Sequence, residues 1–163
     1  VSDIHRDRLR RLAVPVLATL LVIASGWLFW DGSARRGAEH AGNDAVQAAR
    51  ESIVAILSYR PDTAEKDLDT AARERLTGRF LDDYTQLIKT VVVPNAKQKS
   101  VTAAARVPAV AVVSASADHV VLLAYVDQAL TVGKEAPTQT NSSVRVTMEK
   151  VDSRWLVAGF DPI

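Results

Sequence analysis

The stretch Leu12 to Trp30 (LAVPVLATLLVIASGWLFW) carries no charged residue and constrains the rest of the chain more than any other segment. About 20 apolar residues at 1.5 Å rise each match a hydrocarbon layer roughly 30 Å thick, so this run predicts a membrane-spanning helix. Arg6, Arg8, Arg10 and Arg11 precede it, against Asp3 and Asp7. The positive-inside bias then puts residues 1–11 in the cytoplasm and the bulk of the chain on the far side. A single-pass protein of the inner (plasma) membrane with an extracytoplasmic, periplasmic C-terminal domain is expected. Trp27, Phe29 and Trp30 crowd the outer end, where amphipathic rings prefer the headgroup layer. A cleaved signal peptide shares the basic start, but its apolar core runs to only about 7–15 residues and ends at a small-residue cleavage site. Here bulky aromatics are followed by Asp31, Gly32, Ser33 and Ala34, so a retained anchor is expected. Ala18, Ala24, Ser25 and Gly26 are the small residues on which the span would pack against another helix, although no G-x-x-x-G occurs.

Residues 31–43 (DGSARRGAEHAGN) read as a spacer or a helix start, which leaves 44–163 as one domain able to bury a core. Lys and Arg number 20 against 19 Asp and Glu, a formal net charge of +1, so no basic footprint for nucleic acid is present. Cysteine is absent, which excludes a disulfide framework, a thiolate metal site and a cysteine nucleophile.

Ala45, Ala49, Ile53, Ile56 and Leu57 recur at three- and four-residue steps and predict a helix from Asp44 that ends before Pro61. Asp62 and Glu65 form a capping-box-like pair at the head of a second, largely charged helix reaching about Ala72. Phe80, Tyr84, Leu87, Ile88 and Val91 predict an apolar face on a third helix, Leu76 to Thr90, with Pro94 and Asn95 closing the helical half. From Lys97 the period changes to two and β-branched residues dominate. Strands are expected over Ser100–Ser116, with Pro108 at a bulge or edge, and over Val120–Val132 at the sheet centre. A polar connection, Gly133 to Asn141, leads to a third strand with Val144, Val146 and Met148 inward, then a hairpin turn at Val151–Arg154 and a last strand from Trp155 to Phe160. Helices first and an antiparallel meander second give an α+β domain in which helices cover one face of a curved sheet. Such a wrap can leave a cone-shaped pocket, for which Phe80, Tyr84, Tyr125 and Trp155 are the candidate lining residues.

Equipment for chemistry is sparse. His5, His40 and His119 have no second ligand at metal spacing, no serine lies in a G-x-S-x-G elbow, and the seven glycines form no phosphate loop. The one enzymatic arrangement open to this sequence is Asp127 working with Tyr84 or Tyr125 in a pocket, and that requires the groups to converge. No catalytic, metal or cofactor residue is assigned, and no enzyme is expected.

The strings AILSYRPDT (Ala55 to Thr63), RLTGRFLDDYTQL (Arg75 to Leu87), VVVPNAKQKSV (Val91 to Val101) and SSVRVTMEKVDSRWLVAGFDPI (Ser142 to Ile163), behind a basic tail and one span, resemble the Mce-associated membrane proteins of mycobacteria and related actinobacteria. The resemblance covers nearly all of the chain beyond the span. It implies a fold shared with the secretion component VirB8 and with nuclear transport factor 2. It also implies a non-catalytic accessory subunit of an Mce-type importer of sterols or fatty and mycolic acids, partnered by permease and Mce subunits, with no cofactor. Two further readings stay open: a VirB8-like scaffold of a secretion or conjugation machine, and a domain with a lipid-binding pocket.

Overall fold

The computed structural model describes residues 37–163. The predicted span Leu12–Trp30 lies outside them, as do its small residues Ala18, Ala24, Ser25 and Gly26. Among the described residues no helix is long and apolar enough to cross a membrane.

Helix α1 is already formed at residue 37 and runs to 57, so part of the expected spacer is helical. Its buried face is Ala41, Ala45, Ala49, Ile53 and Ile56, the predicted stripe extended by one turn at the front. Small alanines on that stripe let the helix axis lie close to the sheet. Helix α2 (Ala64–Arg75) runs one turn beyond the expected Ala72 and buries Ala64, Leu68, Ala71 and Ala72. The capping box does not form: Thr63 is the N-cap and makes no side-chain cap bond, while Glu65 reaches across to Lys97.

Helix α3 (Gly78–Leu87) passes into a π-helical turn, Ile88–Val92, and then into α4 (Val93–Lys99). Proline 94 therefore does not close the helical half as its sequence position implies. A proline in a regular helix clashes with the carbonyl four residues earlier and offers it no donor. Widening the turn, with the Val93 N–H donating to the Ile88 carbonyl five residues back, places Pro94 in the first turn of α4, where no donor is needed. Asn95 Nδ2 donates to the Val91 carbonyl at 2.7 Å, a side chain supplying a partner to the same turn. The chain leaves α4 through Ser100 at φ 53°, a left-handed stop.

Strands β1 (Val101–Ala115), β2 (His119–Val132), β3 (Thr138–Val151) and β4 (Arg154–Pro162) pair antiparallel in chain order. The register of β1 on β2 shifts between Arg106 and Ala109, which puts Pro108 in a bulge as expected, and again between Val112 and Ser114. Strand β3 begins earlier than its apolar pattern, because the polar residues from Thr138 to Ser143 pair fully with the second half of β2. Asp152 and Ser153 both have positive φ, 47° and 65°, which makes the β3–β4 connection a two-residue turn of the hairpin type. The core lies between the helices and one face of the sheet, where Val120, Leu122, Ala124, Val126, Val144, Val146, Met148 and Val157 meet Ile53, Ile56, Leu68, Leu76 and Ile88.

Candidate functional site

Three side chains and the two backbone groups of Tyr59 fix the end of α1 on α3 and the sheet. The last carbonyls of a helix have no partner of their own. Here the Tyr84 hydroxyl donates to the Ile56 carbonyl at 2.7 Å and Gln128 Nε2 donates to that of Leu57 at 3.2 Å. Ser58 Oγ accepts from the Ala105 N–H, and Tyr59 exchanges both backbone bonds with Ala103 at 2.9 Å. One step away, Arg50 donates to the Val107 carbonyl beside the Pro108 bulge. The AILSYRPDT string is thus an anchoring joint between helix and edge strand. Ser58, Tyr59 and Arg50 were missed as structural residues because their partners lie more than forty positions away in the chain.

Of the predicted lining residues, the structure brings Phe80 and Tyr84 together, on one face of α3. Their ring centroids are 6.0 Å apart, and Phe80 also stacks on Phe160 at 6.2 Å and 16°. Together they fill the space between α3 and β4, and the burial around Tyr84 pushes its hydroxyl well above the usual tyrosine range, with nearby Tyr59 adding to the effect. Trp155 belongs to the same core but lies near the β3–β4 turn, beneath the Lys150 ammonium at 5.6 Å. Tyr125 does not belong with them: it projects from the opposite face of the sheet and is 50% exposed. The first half of β2 is apolar on both faces, and the packing of the helices decides which one is covered. Asp127 shares that outer face, where Asn141 Nδ2 donates to it from the neighbouring strand. The sheet therefore separates Asp127 from Tyr84, and the acid–base pairing between them does not assemble. His40 and His119 are exposed, His5 lies outside the described residues, and among the described residues no group of three potential metal ligands occurs.

A concavity of the described residues lies on the helical layer. A groove of about 630 Å³ runs between α2 and the π turn with α4, floored by Ile88 and Val93 and walled by Asp62, Glu65, Lys66, Asp69, Arg73, Lys89 and Lys97. The π turn creates the floor: Ile88 and Val93 stand five residues apart, one π turn, and are both buried, while Val91 is 47% exposed. Lys97 Nζ bridges the helices to Glu65 at 2.6 Å and holds that carboxyl below its usual range, chiefly through this hydrogen bond. Arg73 pairs with Asp69 at 2.9 Å along α2. A second groove of about 500 Å³ continues along α3 past Leu81 and Gln86, sharing Asp69, Arg73 and Lys89. An apolar floor with interleaved charges of both signs suits a polypeptide surface, whose interfaces combine an apolar centre with a polar rim.

No family model matches the chain. Among curated proteins it is 51% identical over 150 residues to the outer membrane protein Rv1973 of Mycobacterium tuberculosis, covering 92% of this chain and 93% of that one. It is 40% identical over 172 residues to the uncharacterized protein Rv1362c of the same organism, covering 99% of this chain and 76% of the relative. Among solved structures, the periplasmic fragment of TraM superposes with a TM-score of 0.61 at 12% identity, over 74% of this chain and 95% of that chain. An IcmL-like type IV secretion system protein from Legionella pneumophila gives 0.60 at 10% identity, over 71% and 88%. Agrobacterium tumefaciens VirB8 gives 0.57 at 16% identity, over 73% and 90%. Helices on a curved four-stranded antiparallel sheet are thus the VirB8-like arrangement, and by sequence the chain belongs to the family of mycobacterial proteins that includes Rv1973 and Rv1362c.

Proposed function

We propose that this protein is a non-catalytic scaffold subunit of the cell envelope. In this reading it is held in the inner membrane by the span Leu12–Trp30 and presents its α+β domain on the extracytoplasmic side to other protein subunits. The observation that carries the reading is the fold shared with VirB8, with the periplasmic fragment of TraM and with the IcmL-like type IV secretion system protein. The name of Rv1973 as an outer membrane protein supports an envelope location. On this domain the mixed-charge groove between α2 and α4 offers the docking surface. A photo-crosslinking residue placed at Lys89, in the native membrane, is expected to capture one or a few defined envelope proteins. Capture of none, with the protein present at its normal level, overturns the scaffold reading.

A narrower reading is favoured by the strings AILSYRPDT and RLTGRFLDDYTQL, which resemble Mce-associated membrane proteins. It makes the machine an Mce-type lipid importer and the partners its permease and Mce subunits. The test is affinity purification in mild detergent. Recovery of a permease and an Mce subunit supports the importer, and recovery of secretion components in their place overturns it while leaving the scaffold role intact.

A further inference from the structure

At the start of β4, on the side of the molecule where α1 and the end of α2 approach the sheet, lies a cleft of about 440 Å³. Its floor holds Ser52 and Trp155, and its walls carry Glu51, Glu74, Arg75 and Arg154. Three features mark it as built to take an extended chain. Trp155 is 8% exposed, and its indole N–H has no hydrogen-bond partner among the described residues, although buried donors in folded domains nearly always have one. Strand β4 is also an edge strand of the sheet. Its outer side is closed at Val157, whose carbonyl accepts from the Thr77 N–H at 2.9 Å. Backbone groups of a strand alternate sides, so two residues earlier the N–H and C=O of Trp155 point to that same outer edge, into the cleft. Finally, among the described residues Arg75 is paired with Glu51 alone, at 3.6 Å in a partly exposed pair, and Arg154 is exposed at the rim, so two guanidinium groups can exchange partners.

We propose that this cleft binds an extended peptide segment of another protein that carries a carboxylate side chain. The segment adds to β4 as a short strand through the free backbone groups of Trp155. A peptide carbonyl accepts from the indole N–H once the ring turns slightly, and the carboxylate sits between Arg75 and Arg154. The Leu76–Thr77 contact with Val157 limits the added strand to two or three residues, so specificity rests on the side chains. This site is separate from the α2–α4 groove and holds whether or not the envelope scaffold role is correct.

The test uses the full chain in detergent micelles, labelled with ¹⁵N at its three tryptophans. Trp155→Phe identifies the Trp155 indole resonance by its loss. The probe is the capped peptide acetyl-Thr-Val-Glu-Val-Thr-amide, compared with the same peptide carrying Gln in place of Glu and with acetate alone. A saturable downfield shift of the Trp155 indole proton is expected, with binding about tenfold weaker for the Gln peptide and for Arg154→Gln. No shift with the Glu peptide at millimolar concentration overturns the site, equal binding of the Gln peptide overturns the carboxylate requirement, and reproduction of the shift by acetate overturns the peptide in favour of a small-anion site.

Discussion

Tyr84 shows how one side chain can tie two helices together. It stands on α3, its ring lies in the core against Phe80, and its hydroxyl closes the C-terminus of α1 at the Ile56 carbonyl. Tyr84→Phe keeps the ring and strands that carbonyl, so a loss of about 1–3 kcal/mol in unfolding free energy is expected by denaturant titration. The pH dependence follows from the raised value of the same hydroxyl. A group that binds its proton more tightly when folded stabilises fully below its unfolded value, about 10 for tyrosine, and loses that contribution as pH rises toward the folded value. Stability should therefore fall above pH about 10, and the Tyr84→Phe variant should show a shallower fall over the same range. That Tyr84 is buried was legible from its place on the helical stripe. That Tyr125 is not was illegible, since alternation puts apolar residues on both faces of β2 and only tertiary packing chooses between them.

At the scale of elements, the helix pair joined through the π turn is the feature most dependent on a single residue. Deleting Val91, an exposed member of that turn, leaves Ile88 and Val93 four apart, so a regular α-helix still buries both. The same deletion puts Pro94 inside a continuous helix, where it costs about 3 kcal/mol. Deletion of Val91 should thus destabilise the domain by about that amount, and adding Pro94→Ala should recover most of it, as measured by thermal or denaturant unfolding. The sequence pattern made the strands and α1 readable, because period two and the alanine stripe are local signals. It put Leu87 and Val91 on the buried face, since a constant turn of 3.6 residues carries the stripe through them. The structure leaves both about half exposed: Val91 because the turn widens where Pro94 cannot follow an α-helical carbonyl, and Leu87 because it stands at the edge of the stripe in α3, before that turn. The groove floor depends on that widening, so it was unreadable for the same reason.

Over the whole molecule, Ala38–Ile163 forms one compact unit, and all the residues of the main core fall within it. A fragment of those residues is expected to fold alone and unfold in one cooperative step, with coincident transitions by circular dichroism and by Trp155 fluorescence. A fragment ending at Val151 should not fold, because it lacks Trp155, Val157 and Phe160 from the core and the bridge from Val157 to Leu76. Since the strands pair in the order in which they occur, each new strand finds its neighbour already made, and the sheet can grow by successive hairpins as the chain is synthesised. The helices do not share that convenience. Leu76 and Phe80 gain their sheet partners only when β4, the last of the four strands, arrives. Residues 154–163 therefore act as a latch in time as well as in space. Until they emerge, α2 and α3 expose an apolar face, and a ribosome stalled near Val151 would hold a chain that is ready for a chaperone and unable to complete its own core.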